Sequence, residues 1–198
     1  MILGFDTETT GLPNSKKPMN DPCQPSLMQI SVQVYSNEWT LLHEWTSIVR
    51  PVKEPDAKAV ETHGITKKLA DDVGISEPLA ITIFSRFLSL APRWNVAHNR
   101  QFDFQILEMC ALRHGLTIDW GDPSRGFCTC EGMGPIMLLP PTEPMRKWRP
   151  DLKWKNPNLD EALQFTHGRE VEGAHDAGAD TKACLDVFRW MLEGGHVE

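Results

Sequence analysis

The chain has 198 residues, 40% of them hydrophobic and 24% charged, and a formal net charge of −7. These values fit one α/β-sized globular domain and exclude a disordered chain; no apolar run approaches the ~18 residues of a membrane span. The acidic balance argues against a protein that coats nucleic acid, though not against an enzyme that grips a strand end and brings cations with it.

Residues 1–8 read as a strand, apolar through Phe5, broken by Thr9-Thr10-Gly11-Leu12-Pro13. A strand opening at Met1 leaves no basic-then-apolar leader, so no cleaved signal peptide is expected. A Pro-rich loop fills 13–26. Alternation of Met28, Ile30, Val32 and Val34 makes 28–35 a half-buried strand, and 39–49 carries the next, the two forming an antiparallel hairpin. Residues 57–63 form a short helix stopped by Gly64. Thr66 and Ser76 stand as N-caps, the second opening a helix to about residue 90. A short strand follows over 94–97, then a helix over 100–114 ended by Gly115. Residues 127–130 are expected to form another short strand, and the Met- and Pro-rich stretch to residue 150 has no legible shape. Helices over 159–166 and 176–192 close the chain. No internal repeat or long linker divides it, so 1–198 is expected to be one domain with a mixed sheet and helices on its faces. Five cysteines, with Cys128 and Cys130 separated by one residue, lack zinc-knuckle spacing and suit reduced thiols in the cytoplasm.

Four acids fall where a core is expected. Asp6 and Glu8 lie two apart at the C-terminal end of the first strand, on one face. Asp180 shares the apolar face of the last helix with Ala183, Cys184, Val187 and Met191, and so points inward. Asp103 borders the buried stripe of its helix, beside Leu107 and Cys110. Two like charges about 4 Å apart repel by roughly 4 kcal/mol at an effective dielectric near 20. Against a net stability of about 5–15 kcal/mol, such a cluster needs compensation. No Lys or Arg flanks Asp6 or Glu8, so divalent metal is the expected counter-charge. An all-carboxylate set suits Mg²⁺ or Mn²⁺, and two such ions can activate water and stabilise a leaving oxygen in phosphodiester hydrolysis. His175, five residues before Asp180, is positioned to take the proton; a cap or surface role is its bland alternative.

These residues carry a family resemblance. Phe5-Asp6-Thr7-Glu8-Thr9-Thr10-Gly11-Leu12 resembles the first motif of the DEDDh (DnaQ-like) 3′–5′ exonucleases, the group that includes the proofreading ε subunit of bacterial DNA polymerase III. Val96-Ala97-His98-Asn99-Arg100-Gln101-Phe102-Asp103 resembles the second, and Ala174-His175-Asp176-Ala177-Gly178-Ala179-Asp180 the third. Thr62-His63-Gly64-Ile65-Thr66 is similar to the segment between the first two. The resemblance spans about 1–192. It implies a ribonuclease-H-like exonuclease fold with an antiparallel first three strands, and release of nucleoside 5′-monophosphates from a 3′ end. It implies Asp6, Glu8, Asp103 and Asp180 as ligands of two Mg²⁺ (or Mn²⁺) ions and His175 as general base. Thr9 and Leu12 are implied as contacts of the terminal nucleotide, with His63 and Asn99 weaker candidates and His98 open to a structural role. The chain is most similar to compact, stand-alone, phage-type members, which implies a cytoplasmic, bacterial or phage-encoded protein; a polymerase partner would fit the proofreading members. Gly178 departs from the pattern, where a larger apolar residue is usual.

One basic cluster stands out: Arg146, Lys147, Arg149, Lys153 and Lys155, interleaved with Trp148 and Trp154. Either the cations follow phosphates while the indoles stack on bases, or both indoles anchor a loop and the charges are solvated. Single-stranded DNA is the expected substrate. RNA 3′-end trimming and a non-catalytic module that binds nucleic acid or a polymerase are the alternatives.

Overall fold

The computed structural model describes residues 1–90 and 92–197. A six-stranded sheet in the order β4-β3-β2-β1-β5-β6 runs through it. β1 (Ile2–Thr9), β2 (Leu27–Tyr35) and β3 (Leu41–Arg50) form an antiparallel meander. β5 (Trp94–Ala97) lies parallel to β1, β6 (Gly126–Cys128) parallel to β5, and the two-residue β4 (Ile75–Ser76) parallel to β3. This is the mixed α/β architecture expected from the sequence.

The helices are α1 (Ala57–His63), α2 (Lys67–Val73), α3 (Glu77–Ser89), α4 (Arg100–Arg113), α5 (Thr129–Met137), α6 (Glu143–Trp148), α7 (Leu159–His167) and α8 (Ala177–Glu193). Their ends follow local chemistry. The Thr66 hydroxyl caps Leu69 N–H of α2, and Asn158 with Glu161 forms a reciprocal capping box on α7. Gly64 and Gly168 close α1 and α7 in the left-handed conformation. None of the described helices is long and apolar enough to cross a membrane.

Period-two alternation divides β1 between two cores. Leu3 and Phe5 pack with Ile30, Val32 and Val34 of β2 against Ala80, Ile81 and Phe84 of α3 and Ile106, Leu107 and Cys110 of α4. Ile2 and Val96 face the other way, toward Cys184, Leu185 and Phe188 of α8. α4 and α8 therefore cover opposite faces. Gly4 is what lets α8 come close: a Cβ there would lie 2.5 Å from Leu185 Cγ.

Two local expectations need correction, and one stretch without a legible shape gains one. Residues 127–130 are not one strand: pairing stops at Cys128, and Thr129 begins α5. The stretch beyond is ordered as α5, with Pro135 inside it, and α6. Trp39 belongs to the hairpin turn, with φ 63°, so β3 starts at Leu41.

Candidate active site

β1 and β2 present a polar ladder toward α8. Asp6 lies opposite Ser31 and Glu8 opposite Gln29, two residues further along. Gln29 clamps the start of α8: its Nε2 donates to Asp176 at 2.8 Å, and its Oε1 accepts from Ala177 N–H at 2.9 Å. Asp176 in turn caps Gly178 and Ala179 N–H. A second contact, Gln33 Nε2 to the Gly178 carbonyl at 3.2 Å, holds the first turn down. The departure at Gly178 now has a reason. A Cβ there would stand 3.0 Å from Asp176 Oδ1 and 3.2 Å from Thr46 Oγ1, so a larger residue would crowd the capping carboxylate and the sheet beneath this turn.

With α8 so placed, Glu8, His175 and Asp180 bring ligand atoms to within 4.8 Å of one another. His175 precedes the Asp176 cap in left-handed backbone, φ 66°, and its N–H donates to Asp180 Oδ2 at 3.2 Å. Its ring is exposed to solvent.

Asp103 arrives from the opposite face. The pairing of β5 with β1 ends at Gly4, which leaves the farther edge of β1 open. Thr7 N–H and Thr7 Oγ1 donate there to Asp103 Oδ1, at 3.1 and 2.7 Å. Asp103 is fully buried rather than marginal, at 2% exposure.

The four acids act on one another. Burial raises the Asp6 carboxyl well above the usual carboxylate range, and the charges of Asp103, Asp180 and Glu8 raise it further. Glu8 is pushed up to about 8 by burial, then by Asp180 and Asp103. Burial lifts Asp103 to about 7 against the lowering hydrogen bonds from Thr7. Asp180 rises to about 6, again from burial, with His175 N–H and the His175 charge opposing. None of the four forms an ion pair with Lys or Arg among the described residues. The lowest-energy responses open to such a set are protonation or cation binding. The donors suit a hard divalent cation: carboxylate oxygens, with one imidazole at the rim.

Beside the acids, between the end of β1 and α1, lies a cleft of about 430 Å³ whose lining includes Glu8, Thr9, Leu12, His63, Ala59 and Phe102. Leu12 is 82% exposed at its edge. Thr9 Oγ1 donates to the Gly11 carbonyl at 2.8 Å, which fixes the turn carrying Leu12. Glycine suits that turn because its φ is 150°, and a Cβ on Gly11 would also meet the Asp56 carboxylate. His63 lines the cleft with both ring nitrogens engaged: Nδ1 accepts from Ile65 N–H at 3.0 Å, so Nε2 donates to the Thr9 carbonyl at 3.2 Å. That arrangement braces the turn from α1. Asn99 sits exposed at the start of α4 in left-handed backbone, φ 62°. His98 is a satisfied internal histidine, bonded to Thr129 Oγ1 and the Pro157 carbonyl and lowered to about 4 by burial. A larger hollow of about 580 Å³ runs along α4 and β6, lined by Arg100, Phe104, Trp120 and Cys128, and contains none of the four acids.

Thr7, Gln29 and Asp176 were not singled out as positioning groups from sequence. Asp176 carried a signal, an acid one residue before an Ala-Gly-Ala helix start. Thr7 and Gln29 gave none, because their partners lie 96 and 147 residues away.

No protein-family model and no curated protein matches the sequence. Solved structures do match the fold. Escherichia coli exonuclease I in complex with a dT13 oligonucleotide aligns at TM-score 0.71 and 19% identity over 97% of this chain and 40% of that one. A moderately thermophilic exonuclease I from Methylocaldum szegediense gives 0.67 and 22%, over 97% and 40%. Exonuclease X in complex with 5′-overhanging duplex DNA gives 0.57 and 19%, over 98% and 93%. The fold is that of the ribonuclease-H-like exonucleases. The chain spans about 40% of the length of the exonuclease I structures it matches.

Proposed function

We propose that this chain is a single-domain, DEDDh-type 3′–5′ exonuclease that removes nucleoside 5′-monophosphates from single-stranded DNA with two divalent cations, Mg²⁺ or Mn²⁺. The observation that carries the reading is the gathering of Glu8, His175 and Asp180 within 4.8 Å, with Asp6 and Asp103 near enough to raise each other's cost of ionisation. A fold assembled from opposite faces of a sheet to concentrate negative charge, with no basic partner, is unfavourable unless cations belong there. Asp6, Glu8, Asp103 and Asp180 would hold them; when bound, such ions lower the pKa of water and neutralise charge on a scissile phosphate.

The remaining work falls to side chains of this chain. The His175 ring, at the solvent rim beside Glu8 and Asp180, is placed to accept a proton from an attacking water and release it to solvent. Thr7 holds the Asp103 carboxylate in a single orientation. The Thr9–Leu12 turn offers backbone groups and an exposed aliphatic wedge, and with Phe102 and Ala59 makes the cleft apolar enough to receive a terminal base.

The test uses labelled 20-nucleotide DNA and RNA strands, free or phosphorothioate-blocked at the 3′ end, with Mg²⁺ or EDTA. Stepwise shortening of free DNA from the 3′ end, lost in EDTA and in Asp6→Ala, supports the reading. Internal cutting of the blocked strand, or undiminished activity in Asp6→Ala, sinks it. Preference for the RNA strand would keep the chemistry and replace the substrate.

A further inference from the structure

The structure separates the two tryptophans of the basic segment. Trp154 is half-buried, its indole against α5: a Cβ on Gly134 would lie 3.0 Å from Trp154 Nε1. Trp148, at the end of α6, is 83% exposed. It has no hydrogen bond or ring contact among the described residues. One indole anchors the excursion and the other is presented to solvent.

What surrounds Trp148 decides what it fits. Residues 142–153 hold four cations (Arg146, Lys147, Arg149, Lys153) against two acids (Glu143, Asp151), a local charge of +2 in a chain of −7. Lys147 pairs with Glu143 at 2.9 Å and Arg149 with Asp151 at 3.4 Å, and all four side chains are more than half exposed. Such pairs are weak and readily exchanged for phosphate. Arg146 and Lys153 have no acidic partner among the described residues. An exposed indole flanked along the chain by available cations suits an anionic polymer with unpaired aromatic faces. A protein partner would need a contiguous apolar patch, which residues 146–151 do not offer; a duplex keeps its base faces stacked inside.

The excursion is also rooted at the site. Lys155 N–H bonds to the Leu139 carbonyl at 2.9 Å and closes its base. Two residues on, the Pro157 carbonyl accepts from His98 Nε2 at 3.1 Å, directly before Asn99 and the helix that carries Asp103. Salt-bridged Lys155–Glu161 fixes the far side to α7.

We propose that Trp148 and the cations around it form a stacking platform for single-stranded DNA, engaging nucleotides 5′ of the one held at the acids. This rests on the exonuclease reading for the polarity of the strand, but the binding surface itself can be tested without turnover. Binding of fluorescein-labelled dT15 to the full chain is followed by anisotropy in EDTA across 50–300 mM salt, for the wild type, Trp148→Ala, Trp148→Phe and Arg146→Ala/Arg149→Ala. Hydrolysis of the p-nitrophenyl ester of thymidine 5′-monophosphate in Mg²⁺ reads the acid site alone. Trp148→Ala should weaken dT15 binding about tenfold, with Trp148→Phe recovering most of it. The double arginine variant should flatten the log–log salt slope by about 1.4. Ester hydrolysis should stay as in the wild type for all three. Unchanged dT15 affinity in Trp148→Ala, an equal loss on the ester, or Trp148-dependent binding of a blunt duplex as tight as dT15 would each overturn the platform. Absence of any hydrolysis by the wild type, with dT15 binding still dependent on Trp148, would instead overturn the exonuclease reading and leave the platform standing.

Discussion

Replacing Glu8 with Gln should stabilise the metal-free protein at alkaline pH, although it removes a proposed cation ligand. The Glu8 carboxyl is raised from 4.5 to about 8. A carboxyl raised in the folded state contributes its full stability below the unfolded value and loses it as pH climbs through the folded one. For Glu8 that window runs from about 4.5 to about 8. A shift of roughly 3.5 units at ~1.36 kcal/mol each puts the ceiling near 5 kcal/mol. Gln keeps the cost of burying a polar group and removes only the charge, so about 1–3 kcal/mol is expected at pH 8.5 and almost none at pH 4.5. At about 2–4 °C per kcal/mol for a domain of this size, Tm should rise by roughly 3–10 °C. Thermal unfolding in EDTA at the two pH values reads this directly. Saturating Mg²⁺ should raise the Tm of the wild type at pH 8.5 more than that of Glu8→Gln, because one of the four proposed ligands is gone. A lower Tm for the variant at pH 8.5, or the same change at both pH values, would refute the idea that burial and the neighbouring acids oppose an ionised Glu8 in the absence of cations.

The other predictions touch separate parts of the molecule. His175→Asn, which tolerates the left-handed backbone at φ 66°, should cut kcat on a 3′-free strand by about 10²–10⁴; its urea midpoint should stay near the wild type, since the ring is exposed. Glu77→Ala should cost about 3–5 kcal/mol in urea unfolding, because this buried acid accepts from Leu27 N–H, Arg113 and His114 at 2.7–3.0 Å; activity per folded molecule should not change. Gly4→Ala should cost about 1–3 kcal/mol through overlap with Leu185 and lower Mg²⁺-dependent activity by displacing α8, and adding Leu185→Ala should recover part of both. Additive losses in that double variant would place the cause elsewhere.

How much of this is legible in the sequence depends on where each residue's constraint lies. Period-two and helical spacing turn residues into faces, so Asp6, Glu8 and Asp180 could be aimed inward from sequence, and β1, β2, α4 and α8 could be bounded to within a few residues. Asp103 looked marginal because its own helix explains only part of its burial; the rest comes from Thr7, on a strand edge that stays open because β5 is short. Glu77 drew no notice for the same reason. Its hydrogen-bond partners, Arg113 and His114, lie 36 and 37 residues away, and nothing in its neighbours marks it as buried. In 129–137, Pro135 and the scattered methionines hid α5, a helix that packs against α7 and α8, as Met133 with Leu163 and Val187 shows.

The same reasoning explains why the site's precision comes from small residues rather than from the acids themselves. Four carboxylates repel, so nothing in their own chemistry draws them together in the absence of cations; the scaffold has to force the approach. Gly4 admits Leu185 onto β1, and Gly178 admits the first turn of α8 against Thr46 and Asp176. Gly11 admits Asp56 behind the Leu12 turn. Gln29 and Gln33 then fix the depth at which α8 sits. The energy for holding this geometry comes from the two apolar cores on either side of β1, which pack directly behind the carboxylates and bury Phe5, Phe84 and Phe188 completely. A site built this way should tolerate loss of one acid structurally far better than loss of a glycine that sets the spacing. On the proposed two-cation reading, Gly4→Ala should disturb the binding of both cations together, whereas Asp103→Asn, with its Thr7 hydrogen bonds retained, should weaken one and leave the fold intact.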